Sequence, residues 1–185
     1  MNDEVVTEAN RKIETFMSKL YTREELVEQR PVWKSEGKRV VFTNGCYDVL
    51  HPGHIRLLER ARSLGNVLIL ALNTDVSVRR FKGPSRPFFN ERERADLALR
   101  LQAVDAVVFF DEDTPRELIA AVLPDVLVKG ADWAHFIAGR EEVEAAGGEV
   151  HALPLEPGFS TTDIAGKILA RFEGKPEASQ AVSSV

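Results

Sequence analysis

Five short runs of apolar residues recur along the chain: "RVVFT" (39–43), "VLILAL" (67–72), "AVVFF" (106–110), "DVLVK" (125–129) and "EVHAL" (149–153). They show little apolar–polar alternation, the pattern of strands covered on both faces and hence of a parallel sheet. Between them the periodicity is helical. Ile55, Leu58 and Ala61 begin one helix, closed by Leu64-Gly65; Arg94 to Leu101 belong to a second. Pro115 opens a third at its first turn and Pro124 stops it. "GREEVEAAGG" (139–148) and "TTDIAGKILARF" (161–172) supply two more. Alternation of this kind predicts right-handed crossovers and an α/β fold: a Rossmann-like, doubly wound, parallel five-stranded sheet over residues 37–172. Residues 1–36 read as an N-terminal helical extension, because Ile13, Phe16, Met17 and Leu20 share one helical face. The small, polar tail 173–185 is expected to be disordered.

Composition narrows the partners. A net charge of −5 with no long basic run argues against nucleic acid and anionic membranes. No apolar run approaches the ~20 residues of a membrane span. The polar, acidic N-terminus argues against a signal peptide. A single cysteine, Cys46, forms no internal disulfide and fits a reducing cytoplasm.

The first strand runs directly into "TNGCYDVLHPGH" (43–54). In doubly wound sheets ligands bind beyond the carboxyl ends of the strands. Gly45 permits a tight turn that brings N–H groups near a ligand, and Pro52 suits the first turn of a helix. That helix start presents unpaired N–H groups and partial positive charge, favouring an anion, with His51 and His54 flanking it. Neither GxxxxGK[ST] nor GxGxxG occurs. What remains is a His-x-Gly-His phosphate site. The alternatives are half a zinc site, a Cys46 thiol nucleophile, or histidines that only begin a helix.

Other anion-handling segments fall at the same edge. "RRFKGPSRP" (79–87) reads as a basic surface loop in which Lys82 reaches a phosphate and Arg86 holds the loop; a solvated loop is the plainer reading. Arg94 follows on a helix. "VKGADW" (128–133) offers Gly130 for close backbone approach, Asp132 for a ribose hydroxyl, and Trp133 to cover a base or the core. Ser160, Thr161 and Thr162 stand at a helix start, either as caps alone or with a phosphate added.

Taken in order, "TNGCYDVLHPGH", "ALNTDVSVRRFKGPSRP", "VDAVVFFDEDTPRELI", "PDVLVKGADW", "GGEV" and "FSTT" resemble the D-glycero-β-D-manno-heptose 1-phosphate adenylyltransferases of the HxGH nucleotidylyltransferase superfamily, over roughly Gly37 to Ala170. Tyr47, Asn66 and Trp133 depart from the usual Phe, Asp and Tyr. The resemblance implies transfer of AMP from ATP, with Mg²⁺, to a small-molecule sugar phosphate, giving ADP-heptose for lipopolysaccharide core. It is to the stand-alone form, which implies a separate heptose kinase; a homodimer is expected. Related glycerol-3-phosphate cytidylyltransferases carry Arg-Thr-Glu-Gly-Ile-Ser-Thr-Thr; "LEPGFSTT" lacks that arginine, which favours ATP over CTP. A cytidylyl- or adenylyltransferase for another small phosphate, or a non-catalytic ATP-binding module, are the rival readings. The resemblance assigns His51, His54 and Lys82 to catalysis. It places Thr43, Asn44, Gly45, Cys46, Tyr47, Arg94, Lys129, Gly130, Asp132, Trp133, Ser160, Thr161 and Thr162 around ATP, with the Lys129-Gly130 backbone on the nucleoside. Asp48, Asn73, Asp75, Lys82 and Arg86 fall on the acceptor side, Asp48 also orienting the histidine loop.

Overall fold

The computed structural model describes residues 19–133 and 135–173. Among them, six parallel strands form one sheet: β1 (Leu20–Tyr21), β2 (Val40–Gly45), β3 (Val67–Asn73), β4 (Ala106–Phe110), β5 (Val126–Gly130) and β6 (Glu149–Leu153). Their spatial order is β1-β4-β3-β2-β5-β6. The five apolar runs are therefore strands, and the doubly wound parallel class holds. The sixth strand is new: Leu20 and Tyr21 pair with Val107 and Val108. Leu20 is thus not on a helix, and Ile13, Phe16 and Met17 lie outside the described residues.

Seven α-helices accompany the strands among the described residues: α1 (Arg23–Ser35), α2 (Pro52–Arg62), α3 (Asp75–Lys82), α4 (Glu91–Leu99), α5 (Arg116–Val122), α6 (Arg140–Ala145) and α7 (Thr161–Phe172). α1 is integral to the domain. Thr22 and Glu25 close a capping box at its start, and its inner face buries Leu26, Arg30 and Trp33. The signal was readable in "TREE", but Pro31 inside the helix obscured it. α3 corrects the loop reading of residues 79–82. Thr74 caps it by accepting the Ser77 N–H, and only at Gly83 does the chain leave the helix.

The sheet has a hydrophobic layer on each face. Leu26, Trp33, Phe42, Ile69, Val108, Leu118, Leu127 and Val143 pack together with α1, α5 and α6. Val41, Leu58, Leu68, Leu70, Ala95, Leu99, Val107 and Val126 pack with α2 and α4. From β2 the chain winds outward through β3 to β4, then returns across β2 to β5 and out to β6. The winding direction reverses between β2 and β5, the place where such sheets open a crevice at their carboxyl edge.

Candidate active site

A cleft of about 380 Å³ lies at that edge. Its floor is the end of β2 and the following turn, Thr43 to Asp48; Asn73 closes it from β3, and Lys129 and Gly130 from β5. His54 from α2, Lys82 from the last turn of α3 and Thr161 from the first turn of α7 line the same cleft. Residues far apart in sequence therefore converge on one space.

The turn after β2 holds the histidines by steric fit. A Cβ on Gly45 would meet the Tyr47 ring at 2.9 Å, so only glycine lets that ring fold back. Tyr47 itself takes the left-handed conformation (φ 47°), rare for a residue with a side chain. Its buried ring packs on His54, centroids 4.8 Å apart. Burial raises the Tyr47 phenol above its ordinary pKa, so it stays neutral. His51 caps α2: its Nδ1 accepts the His54 N–H at 3.3 Å, leaving Nε2–H to donate elsewhere. The imidazoles stack at 3.6 Å, and Phe159 lies against the outer face of His51 at 6.2 Å. Gly53 makes this possible, since a Cβ there would meet His51 and Phe159 at 3.1 Å.

Burial sets the charge state. Burial, then the neighbouring His51 and Lys82, push the His54 pKa down to about 3; burial also lowers His51. Both imidazoles are neutral near pH 7 and serve as hydrogen-bonding groups rather than as cations.

The other predicted residues divide. Arg94 does not reach the cleft, and its expected phosphate contact is corrected. Its side chain is fully buried; Nε donates to Phe89 O (3.1 Å), Nη1 to Cys46 O (2.8 Å), and Nη2 to Asn73 O and Asp75 Oδ1 (2.8 Å each). It ties the ends of β2 and β3 together. Asp75, expected on the sugar, is its partner and does not line the cleft. Arg86 likewise stays in the scaffold: its Nε lies 3.3 Å from Asp48 Oδ2 and its guanidinium covers Phe88 at 4.4 Å. Asp48 Oδ1 accepts the Phe88 and Phe89 N–H groups (2.8 and 2.9 Å), fastening that segment to the histidine loop. Ser160 Oγ accepts the Asp163 N–H (3.0 Å), so its hydroxyl is a cap. Thr162 is exposed, and of the three hydroxyl residues only Thr161 lines the cleft. Asp132 folds back over Gly130, where a Cβ would meet Asp132 Oδ1 at 2.5 Å. Trp133 falls in the 3-10 turn Ala131–Trp133 that leaves β5.

Cys46 is no activated thiol. Burial raises its pKa despite nearby Lys82 and Arg94, and its Sγ lies 3.8 Å from Asn73 Oδ1. Among the described residues no group of three or more His, Cys, Asp or Glu side chains is placed to hold a metal.

Sequence reasoning missed the apolar walls, Leu57, Phe81, Phe110, Phe136 and Leu155, and the Asp113-Thr114-Pro115 turn. That turn follows β4 at the same carboxyl edge, which is the signal that pointed to it; the phenylalanines carried none, since exposed and buried rings look alike in sequence.

A parallel sheet whose switch point opens on imidazoles, lysines and helix starts defines a doubly wound α/β protein with a cleft at the carboxyl edge of its strands. Residues 42–167 match the cytidylyltransferase-like family, and the chain belongs to that family. It is 50% identical over 159 residues to the bifunctional protein HldE of Syntrophotalea carbinolica, covering 85% of this chain and 32% of that protein. It is 53% identical over 148 residues to the bifunctional protein HldE of Koribacter versatilis, covering 80% and 30%. The chain thus spans about a third of the length of these curated relatives. Among solved structures, the lipopolysaccharide core biosynthesis protein of Thermoplasma volcanium aligns with a TM-score of 0.54 and 28% identity, over 65% of this chain and 98% of that one.

Proposed function

We propose that this chain transfers AMP from ATP to D-glycero-β-D-manno-heptose 1-phosphate, giving ADP-heptose and pyrophosphate for lipopolysaccharide core. The observation that carries the reading is the convergence of His54, Lys82 and Thr161 on one cleft at the switch point. Identity of about half to proteins named HldE supports it. So does the likeness to the lipopolysaccharide core biosynthesis protein of Thermoplasma volcanium.

In the reaction a phosphate oxygen of the sugar forms a bond to the α-phosphorus as the bond to the β-phosphate oxygen breaks. The nucleophile is already anionic, so no strong base is needed; the difficulty is repulsion between two anions and charge growing on pyrophosphate. Fixed donors lower that barrier more than acid–base chemistry does. Neutral His54 and His51 donate to phosphate oxygens, Lys82 neutralises them from α3, and the first turn of α7 at Thr161 receives the departing pyrophosphate. Asp132 and the Gly130 backbone take the nucleoside, and Asn73 faces the acceptor. Mg²⁺ brought by the nucleotide would offset phosphate charge beside Lys82. The acceptor must come from a kinase that phosphorylates the sugar at its anomeric oxygen, and the reaction belongs in the cytoplasm with ATP.

The test is pyrophosphate release from ATP or CTP across a panel of sugar and polyol phosphates. Release with ATP and the heptose 1-phosphate is expected to exceed all other pairs. Release confined to CTP with glycerol 3-phosphate overturns the reading in favour of a cytidylyltransferase. ATP binding without release for any acceptor overturns it in favour of a binding module.

A further inference from the structure

The cleft joins two helix starts that lie far apart in the chain: α2, opened by His51 and carrying His54, and α7, opened at Thr161. α2 is held by packing, since Gly53, Leu57, Leu58 and Ala61 are buried. α7 is held differently. Among the described residues it buries no residue fully; Thr161, Ile164, Ala165 and Ala170 are half-buried and the others exposed. Hydrophobic packing therefore does little to set where Thr161 stands. Its place depends on residues 154–160, which connect β6 to α7.

That segment is fastened to α2. The Glu156 carboxylate meets two arginines one turn apart on α2, Arg56 Nη1 at Oε1 (2.5 Å) and Arg60 Nη2 at Oε2 (3.4 Å). Arg60 Nη1 also donates to the Pro154 carbonyl (3.0 Å). The Arg56 guanidinium covers the Phe159 ring at 5.7 Å, and that ring lies against His51 with 18° between the planes. Leu155 adds an apolar contact close over Gly130. Glu156 itself is half-buried and does not line the cleft. One exposed ion pair contributes little, but a carboxylate shared by two guanidinium groups fixes a geometry.

We propose that Glu156 is a positioning residue for nucleotidyl transfer: by tying residues 154–160 to Arg56 and Arg60, it sets the α7 start at Thr161 against His51 and His54, so that both helix starts act on one triphosphate. The proposal rests on the nucleotidyl-transfer reading. The expected effect of neutralising Glu156 is opposite in sign to simple electrostatics. Removing its negative charge near an anion site, and releasing two guanidinium groups, would by Coulomb attraction alone tighten ATP binding. Losing the tie instead lets the α7 start drift from the histidines and weakens binding, since a displacement of ~1 Å can cost up to ~10²-fold.

The experiment is calorimetric titration of the full chain with ATP, without acceptor, in wild type, Glu156→Gln, Thr161→Val, the double variant and Glu149→Gln, with steady-state kinetics alongside. Glu156→Gln is expected to bind ATP roughly tenfold more weakly and to raise KM for ATP while leaving KM for the acceptor unchanged. Its melting temperature should stay within about 4 °C of wild type. The double variant should lose less than the sum of the two single losses, because both act on the same helix start. Glu149→Gln breaks the Arg39 pair (2.6 Å) at the far end of β6 and should bind as wild type does. Equal or tighter ATP binding by folded Glu156→Gln, or losses that add in full in the double variant, overturns the role of Glu156 and leaves the nucleotidyl-transfer reading standing. A wild-type chain that binds no nucleoside triphosphate overturns both.

Discussion

Replacing His54 by alanine is expected to lower kcat by a factor of about 10²–10³, the usual effect of losing one preorganised donor. Folding should survive. The ring is only partly buried and lines the cleft, so its removal takes little from the core. The variant also separates chemistry from charge. With a pKa near 3, His54 is neutral in wild type throughout the physiological range. Its donation is therefore not switched off between about pH 5 and pH 8. Its linkage to stability runs the other way. In the unfolded chain the imidazole takes up a proton below about 6.5, whereas in the fold it resists until about 3. The fold loses stability as pH falls through that window, and His54→Ala should be the less acid-sensitive protein. Steady-state turnover and melting temperature against pH read both effects; wild-type turnover in the variant would remove the imidazole from the mechanism.

The second large effect is on stability. Arg94→Met leaves the carbonyls of Cys46, Asn73 and Phe89 and the carboxylate of Asp75 without their donor, in a site with no solvent access to the arginine side chain. Breaking one side of a buried charged pair typically costs about 3–5 kcal/mol. For a domain of this size that lowers the melting temperature by roughly 10 °C. Arg94→Lys should recover little, because a single ammonium cannot span four acceptors arranged around a planar fork. Adding Asp75→Asn to Arg94→Met should restore part of the loss by removing the orphaned carboxylate. An Arg94→Met protein that melts like wild type but binds ATP poorly would return Arg94 to the phosphates.

Arg94 also shows where sequence reading stops. Its helix, its proximity to the histidine loop and its charge were all legible, yet an arginine that contacts a ligand and one that clamps two strand ends carry the same letter. Only the backbone carbonyls it meets decide, and those depend on tertiary packing. The strands were legible because burial on both faces writes itself as unbroken apolarity; Val67 to Asn73 is buried throughout. β1 was not, because two residues carry no period and Leu20 happened to complete a helical one. α3 was hidden by the arginines and lysine of its exposed face, although Thr74 and Ser77 offered a cap. The turn "HPGH" was the most readable part of the site. There the sequence needs a cap, a proline at the first turn and a glycine with no room for a Cβ, and each requirement selects one residue type.

The two arginine–aspartate pairs beneath the cleft, Arg94–Asp75 and Arg86–Asp48, are shielded from solvent. Mobile ions approach such pairs poorly, so these two ties should respond little to ionic strength. Attraction of a polyanion to the exposed Lys82 would act across an open mouth and be screened. Salt thus offers a way to weaken the grip on the ligand while leaving these two ties intact.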